Sequence, residues 1–526
     1  MKTIRMFAFG SIMALAASIG FGGVICQWNS SVEHGNWSDA ANWVDGVVPG
    51  PEDAASFLLD PGISVTVDFP EELGALSVTN LWIKGGGTVT FQMPEPVSMT
   101  VTATVNNSES GTLGAGRDAM AIRGGSTFVL TGGGTISNLQ SQVNKPYNQL
   151  QMSDINSRLF VTGGSKFKFA ARIPVNGAAN ASGTDTKHGN TEIHVDGEGS
   201  EATFYANISG IGTHIYAENG GTFNAPVFSL NGGSPKGYAI TATNHAHLAL
   251  SVSGTTLLSG SPATYLIDDS STANIGQTEF ISANDTTFTI AGGSLLTAQK
   301  LSPGYNDCQN MTVLITNATA KVAQYLSIGA SQAGLSSNLG NVSLYGSTNT
   351  TLRIAAGGKL EVAETVKKPL TIGWTSTADT LFVDGGELVS LSTQDMVIAY
   401  TNCVDATLKV RGETAAIDLA GNLKFQLGGE TYGTTGTTLA VELPLSGDRA
   451  AIRAQGAVTI APGTKLRITV PKDVLGRYRL LEAASIEGGF TEDNIEVDGN
   501  AKVTVIQDAT SIILQASKNG LCIILH

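Results

Sequence analysis

The sequence predicts an all-β protein wound as a solenoid, and three observations support this prediction. From about residue 76 to residue 470, short runs with an apolar residue at every second position alternate with glycine or Asx-glycine turns. The chain holds 63 glycines, and only 14% of its 526 residues are charged, a composition unlike that of helical bundles or coiled coils. The same strand-turn-strand unit recurs with a loose period of roughly 20 to 35 residues.

The recurring unit is a strand, a tight glycine turn and a second strand. It appears in Phe160–Phe169, Ile290–Leu296, Ile354–Val362 and Phe382–Val389. One unit is too small to bury its own apolar face, whereas stacked units bury a continuous core and pair every strand edge except at the two ends. At ~22 to 28 residues per coil, the region predicts roughly 14 to 18 coils and a rod of about 65 to 85 Å. The alternative is a row of tandem β-sandwiches.

Residues 1–26 are predicted to form a signal peptide. Lys2 and Arg5 precede an apolar, alanine-rich run from Met6 to about Ile19, which is the layout of a secretory signal. The cleavage site stays open, because several small residues satisfy the cleavage rule. No other apolar run reaches the ~18 residues that a membrane-spanning helix needs, so we expect no transmembrane segment after signal removal.

The repeat region, residues 76–470, is predicted to lie between two caps. Residues 27–75 contain Trp28, Trp37 and Trp43, three of the five tryptophans, and form the predicted N-terminal cap. Residues 471–526 keep the strand pattern but gain charge, and form the predicted C-terminal β cap. Solenoids need such caps because their terminal coils would otherwise expose the core.

Charge and cysteine content exclude several classes of partner. The formal net charge of -14 repels polyanions, and the sequence shows no basic run, so we expect no nucleic-acid partner. Cys26, Cys308, Cys403 and Cys522 show no paired spacing. The sequence therefore predicts neither a disulfide framework nor a thiolate metal site.

Two parts of the sequence resemble one family of exported bacterial proteins. The segment GNWSDAANWVDGVVPG at Gly35–Gly50, followed by Glu52–Phe57, resembles the opening module of proteins with autotransporter-associated β-strand repeats. The segments Val458–Leu466 and Tyr478–Phe490 are similar to the terminal part of autotransporter passengers. The resemblance implies a right-handed parallel β-helix, outside a Gram-negative-type bacterium, among adhesins and surface proteins of unknown ligand.

The sequence departs from this family after residue 490. Autotransporters end in a translocator β-barrel, whereas only a short tail follows here. The resemblance then implies that another system exports the protein to the cell surface or medium, or that it stays in the periplasm.

Signatures of pectin-degrading β-helical enzymes are mostly missing. Asp268-Asp269 follows Lys187-His188-Gly189, whereas polygalacturonases have these elements in the opposite order. Arg172-Ile-Pro174 is followed by Gly177 where pectate lyases have a second arginine. Neighbouring residues of a strand point to opposite faces, so Asp268 and Asp269 indicate a turn or solvated edge more than an acid-base pair.

Trp37, Asp39 and Trp43 are the candidate ligand-binding residues. Two indoles with polar neighbours can form a platform for sugar rings. The alternative is that these tryptophans plug the open end of the solenoid.

The histidines form a second constellation. His245 and His247 are predicted to share a strand face, and His194 and His214, about one coil apart in the sequence, to stack on neighbouring coils. Stacked imidazoles can bind zinc, but no fitting carboxylate accompanies them, so we predict surface or stacking residues, no metal and no cofactor.

The sequence as a whole predicts a secreted or surface-displayed, non-enzymatic β-helical protein. We expect an adhesin-like or structural role, with binding to glycan, cell or matrix surfaces. A polysaccharide lyase or glycoside hydrolase on the same scaffold is the alternative, and the oligomeric state stays open.

Overall fold

The structure, a computed structural model, is a three-sided parallel β-helix. It describes residues 23–102, 118–138, 149–153, 156–169, 173–175, 191–205, 208–210, 213–225, 239–260, 263–304, 308–329, 347–374, 376–401, 403–426, 436–499, 501–517 and 524–525. Within them the helices are three short 3-10 turns, at Ala40–Asn42, Glu71–Leu73 and Glu492–Asn494. No helix among these residues is long and apolar enough to cross a membrane.

Each coil visits three faces in the same order. The first face consists of the strands Ile25–Gln27, Ala54–Leu58, Asn80–Lys84, Asp118–Arg123, Gln149–Ser153, Ile173–Val175, Ile208–Gly210, Leu370–Trp374, Met396–Thr401 and Leu423–Phe425. The second face consists of His34–Asn36, Ser64–Asp68, Thr88–Gln92, Thr127–Thr131, Arg158–Val161, Thr191–Asp196, Thr213–Glu218, Ala239–Thr243, Thr264–Ile267, Thr287–Ile290, Thr312–Ile315, Thr351–Ala355, Thr380–Asp384, Thr407–Arg411, Thr438–Glu442, Lys465–Thr469 and Ile495–Asp498.

The third face joins the first face through long bent strands in several coils. The third face alone holds Ala75–Val78, Ser98–Val101, Thr135–Asn138, Lys166–Phe169, Glu201–Phe204, Thr222–Ala225, Lys359–Val362, Glu387–Ser390 and Ala416–Leu419. The strands that run from the third face onto the first are His247–Gly260, Thr272–Ala283, Leu295–Ser302, Thr319–Ile328, Ile452–Ile460 and Gly476–Gly488.

Strands of neighbouring coils pair in parallel, which excludes the alternative of tandem β-sandwiches. The described strands of the second face number 17. The coils differ in length. Glu192 pairs with His214 after a short coil, whereas Thr312 pairs with Thr351 after a much longer one. Sixteen steps of ~4.8 Å give the rod a length of about 77 Å. The register between paired strands of the second face is unbroken, whereas the first face has shifts at Gln149/Leu150 and Ile372/Trp374.

The core forms because alternate side chains of each strand point inward. In Thr351–Ala355, for example, Leu352 and Ile354 are fully buried while their neighbours are half exposed. Parallel stacking places these apolar residues in rows, and the rows merge into one continuous hydrophobic cluster from Cys26 to Ala516. Left-handed φ angles at Gly357 and Gly385 allow the sharp corners after such strands, as the sequence predicts.

The two ends of the rod differ. Near the start, Trp28, Trp37 and Trp43 pack on Phe57 and Phe69. At the far end, the strands Lys502–Gln507 and Ser511–Ser517 pair antiparallel with each other, and the second of them also pairs with the start of Gly476–Gly488. A further short strand, Ile524–Leu525, pairs with Lys502–Gln507.

Candidate ligand-binding corner

The structure places the predicted tryptophan platform inside the N-terminal end of the rod. The indoles of Trp37 and Trp43 are only 2% exposed and meet edge to face, with 5.0 Å between ring centroids. Trp43 Nε1 donates to the Trp37 carbonyl oxygen at 2.9 Å. Asp39 is exposed, and its Oδ1 accepts from the Ala41 amide at the start of a 3-10 turn. Neither indole therefore offers a face to a sugar ring.

A stack of three rings lies on the outer side of the second face. His194 lies between Phe160 and Tyr216, with centroids 4.3 and 4.4 Å apart and ring planes nearly parallel. On the next coil, His214 lies opposite Glu192, and Tyr216 lies opposite His194. The two histidines therefore do not stack on each other. Because the three rings use their faces on one another, the stack presents mainly ring edges to solvent.

The other predicted histidine pair is separated by a corner. The expectation that His245 and His247 share a strand face is wrong, because His245 lies in a turn with a left-handed φ of 63° and His247 is the first residue of its strand. His247 Nδ1 lies 2.7 Å from Thr272 Oγ1. Among the described residues, no group of three or more His, Cys, Asp or Glu is arranged to hold a metal ion.

The acidic pair Asp268-Asp269 forms a corner turn. Asp269 has a left-handed φ of 50°, and its amide donates to Asp268 Oδ1 at 2.8 Å. Residues 187–189, Arg172 and Gly177 lie outside the described residues. Cys26, Cys308 and Cys403 are buried free thiols, and Cys522 lies outside the described residues.

The turn from the third face to the first face, here called the third corner, carries a cavity lined by several lysines. Eight consecutive coils pass through it in register, at Ile275, Ala298, Val322, Val362, Ser390, Leu419, Ala454 and Ala483. Its width changes along the rod. Only Gln299 separates Ala298 from Lys300, whereas residues 363–369 separate Val362 from Leu370. Residues of this wide loop and of the three narrower coils before it line one cavity.

This cavity, here called the lysine pocket, has a volume of about 710 Å³. Three lysines and three glutamines dominate its lining, and no carboxylate of a described residue lines it. The lining residues are Lys300, Lys367, Lys368, Gln277, Gln299, Gln324, Tyr325, Ala323 and Thr365.

Tyr325 forms the centre of the lysine pocket. The ammonium nitrogens of Lys300 and Lys368 lie 5.6 and 5.4 Å from its ring centroid, within the range of cation-π attraction. Burial raises the pKa of the Tyr325 phenol, so the ring stays neutral. Lys367 and Lys368 are exposed and form no ion pair with a described residue. Their charges are therefore available to an anion.

A second concavity, here called the arginine pocket, begins at the third corner and extends back along the third face to Arg477, which precedes that face in the chain. It consists of two adjoining cavities of about 490 and 650 Å³ that share Glu482 and Ala483. Arg453 Nε donates to Asp418 Oδ1 at 2.6 Å, and Arg479 donates to Glu482 at 3.0 Å. Arg477 also lines it, so three guanidinium groups face two carboxylates.

Sequence reasoning missed both pockets. The lysine pocket draws on four successive coils, and residues as distant as Gln277 and Lys368 meet only after winding. The adjacent lysines at 367 and 368 and the arginines at 453, 477 and 479 were the available signals. No protein-family model, no curated protein and no solved structure matches this chain.

Proposed function

We propose that this protein is an exported, non-enzymatic β-helical protein that binds an acidic polysaccharide at its third corner. The observation that carries the proposal is the lysine pocket, in which three lysines converge without a lining carboxylate although the chain has a net charge of -14. Export to the cell surface or medium is part of the proposal, and the apolar run at Met6–Ile19 supports it. So does the resemblance to proteins with autotransporter-associated repeats.

The side chains of the lysine pocket suit a charged sugar. Ammonium groups donate strong hydrogen bonds to carboxylate or sulfate oxygens, while glutamine amides donate to and accept from hydroxyl groups. The net charge of -14 repels a polyanion from the chain as a whole, so binding needs a local cationic site such as this pocket. An adhesin-like or structural role on a polysaccharide-coated surface follows from such a site.

The test compares two variants that lose the same charge. In one, Lys300, Lys367 and Lys368 become glutamine, and in the other, Lys409, Lys472 and Lys502 become glutamine outside the corner. Binding is measured by calorimetry to polygalacturonate, dextran sulfate and neutral dextran. We expect the pocket variant to lose at least tenfold in affinity for the acidic polymers and the control to lose little. The two polymers separate carboxylate from sulfate recognition.

Equal losses in both variants would show that net charge alone attracts the polymers and would contradict the proposal. Binding of neutral dextran as tight as that of the acidic polymers would also contradict it. Circular dichroism checks that both variants keep the β-helix.

The arginine pocket supports one alternative function, cleavage of the polysaccharide. Asp418, Arg453 and Glu482 lie directly opposite one another on three successive coils, so the two acidic residues are about 10 Å apart at their Cα atoms. Paired carboxylates at a sugar site can act as acid and base. New reducing ends or unsaturated products, lost in the Asp418→Asn and Glu482→Gln variants, would establish an enzyme. Retention of polymer without product would favour the binding function.

A further inference from the structure

We propose that the last strand of the second face, Ile495–Asp498, binds one extended, basic segment of a partner protein by adding it to the sheet. This strand, here called the edge strand, lies on a different face from the lysine pocket and acts independently of polysaccharide binding. Strand addition takes its affinity from main-chain hydrogen bonds and its specificity from the side chains around them.

The backbone of the edge strand is paired on one side. It pairs in parallel with Lys465–Thr469, and the Val470 amide donates to the Asp498 carbonyl oxygen at 2.8 Å. Successive residues of a strand direct their backbone groups to opposite sides, so Asp498 faces the paired side. The amide and carbonyl groups of Val497 and the carbonyl group of Ile495 point the other way, where no described strand pairs with them. Such groups are a template for a further strand.

The other two faces are closed by the chain itself at this end of the rod. On the third face, Ser511–Ser517 pairs antiparallel with the start of Gly476–Gly488. On the first face, the Ile486 amide donates to the Ala509 carbonyl oxygen at 2.7 Å. Among the described residues, the edge strand has no corresponding cover.

The shape of this end admits a single strand and excludes a second rod. On the third face the sheet continues past Ser511–Ser517 with Lys502–Gln507 and Ile524–Leu525, two strands beyond the level at which the second face ends. Two steps of ~4.8 Å add about 10 Å of protein there. A second copy stacked end to end would need the space that these two strands fill. An extended segment, in contrast, reaches the edge strand from outside.

Uncompensated carboxylates around the edge strand select a basic segment. Glu492 and Asp493 lie in the 3-10 turn that leads into the strand, and Asp498 ends it. All three are exposed and form no ion pair with a described residue. Glu496, in contrast, is compensated by two cations of the neighbouring strand. Lysine or arginine residues of the partner segment therefore meet complementary charge here.

The inward positions of the edge strand favour apolar residues in the partner. Ile495 and Val497 are half-buried at the end of the hydrophobic core, whereas Leu466 and Ile468, two inward residues of the preceding strand, are fully buried. In an added strand that alternates apolar and basic residues, the apolar side chains cover this end of the core, and the basic ones lie on the side of the carboxylates.

The experiment measures, by fluorescence anisotropy, the binding of a short peptide of alternating lysine and valine, blocked at both ends, to the full chain. One control peptide has the same sequence with N-methyl groups on its interior amides, which keeps the charge but prevents strand pairing. The other has glutamate in place of lysine. We expect the first peptide to bind at least tenfold tighter than either control. It is also expected to slow amide hydrogen exchange in the edge strand and in no other described strand.

A pair of variants at Val497 tests the backbone contact. Val497→Pro removes the amide hydrogen that points to the open side and keeps the hydrogen bonds to Lys465–Thr469. Val497→Thr, the matched control, keeps that hydrogen and a branched side chain. We expect the proline variant to lose at least tenfold in affinity for the peptide and the threonine variant to change little. Circular dichroism checks that both keep the β-helix, and the exchange measurement on the wild type needs neither variant.

A second pair of variants tests the charge. Glu492→Gln with Asp493→Asn is expected to lower the affinity about threefold to tenfold. The matched control is Glu71→Gln with Glu72→Gln, which removes two exposed carboxylates from another 3-10 turn and is expected to change the affinity little.

Equal binding of the N-methylated peptide would overturn the proposal, because the net charge of -14 alone would then account for the attraction. Absence of binding, slowed exchange outside the edge strand, or a proline variant that binds as tightly as the threonine variant would overturn it as well. A wild-type dimer in sedimentation velocity that Val497→Pro abolishes would identify a second copy as the occupant and contradict a peptide partner. None of these outcomes bears on polysaccharide binding at the lysine pocket.

Discussion

Replacing Asp379 by asparagine is expected to remove a pH dependence from the free energy of unfolding. The Asp379 side chain is fully buried just before the strand Thr380–Asp384. Its carboxyl group accepts hydrogen bonds from the Thr350 amide at 3.0 Å and from the Ser347 hydroxyl at 3.2 Å. Burial raises the pKa of Asp379 from 3.8 to about 7, because these neutral donors offset only part of the cost of burying a charge.

The sign of the effect follows from proton linkage. The folded protein holds this proton more tightly than the unfolded chain, so folding is favoured most at a pH below 3.8. Stability is then lost as the pH rises from 3.8 to about 7, and it levels off above that. Each pKa unit is worth about 1.4 kcal/mol, so the contribution amounts to about 4 kcal/mol.

Asparagine keeps the size and one acceptor oxygen of the side chain but cannot ionise. The Ser347 hydroxyl can turn and accept from the new amide group. We therefore expect Asp379→Asn to match the wild type at about pH 4 and to exceed its stability by up to about 4 kcal/mol at about pH 8. Guanidinium unfolding curves for both proteins across this pH range give the difference in the free energy of unfolding directly. The contributions of all groups that titrate in both proteins cancel in that difference.

Asp384→Asn serves as a control of opposite sign. Burial of the Asp384 carboxyl group raises its pKa. Hydrogen bonds from Arg411 and Arg353 outweigh this effect and lower the pKa below its ordinary value. Its stabilising effect is present at neutral pH and is lost as the pH falls through the folded-state pKa, so Asp384→Asn is expected to destabilise most at neutral pH. Parallel pH profiles for wild type and Asp379→Asn would refute the reasoning about Asp379.

Three further predictions concern packing. Gly373→Ala is expected to destabilise the protein by several kcal/mol, because the new Cβ would clash with Cys403 Sγ. Gly62→Ala, also at positive φ but in open space, is expected to cost only about 1 kcal/mol. Thermal melting of both variants measures the difference. Trp43→Ala is expected to cost about 3 to 5 kcal/mol by denaturant unfolding, and a cost below about 1 kcal/mol would argue against a packed end. Burial raises the pKa of Cys403 to about 12, so peptide mapping after iodoacetamide treatment should find Cys403 unmodified until guanidinium is added.

The strands could be predicted because their signal is local. In Lys359–Val362 and Thr380–Asp384 every second side chain is apolar, and alternation of this kind in a short run specifies a strand with one buried face. The left-handed corner at Gly357 could be predicted as well, because few residues other than glycine adopt that conformation without strain.

Other features were decided by tertiary structure because they depend on how many residues each corner holds. The sequence offers Trp37 and Trp43 as either a platform or a plug, and packing against Phe69 and Phe57 buries both rings. His194 meets Phe160 and Tyr216 because the two coils between them, although unequal in length, bring all three residues level. A shift of one residue in the pairing of its strand would move the imidazole to the opposite side of the sheet.

The third corner shows the same division most clearly. The sequence by itself determined an acidic, glycine-rich chain of alternating strands, and hence a solenoid with a solvated flank. Only the winding of the chain brought Lys300, Lys367 and Lys368 into one pocket, with the ammonium groups of Lys300 and Lys368 over the ring of Tyr325. The physical reason is that backbone pairing fixes the strands in register, so the surplus residues of each coil collect at the corners, where their side chains meet those of other coils.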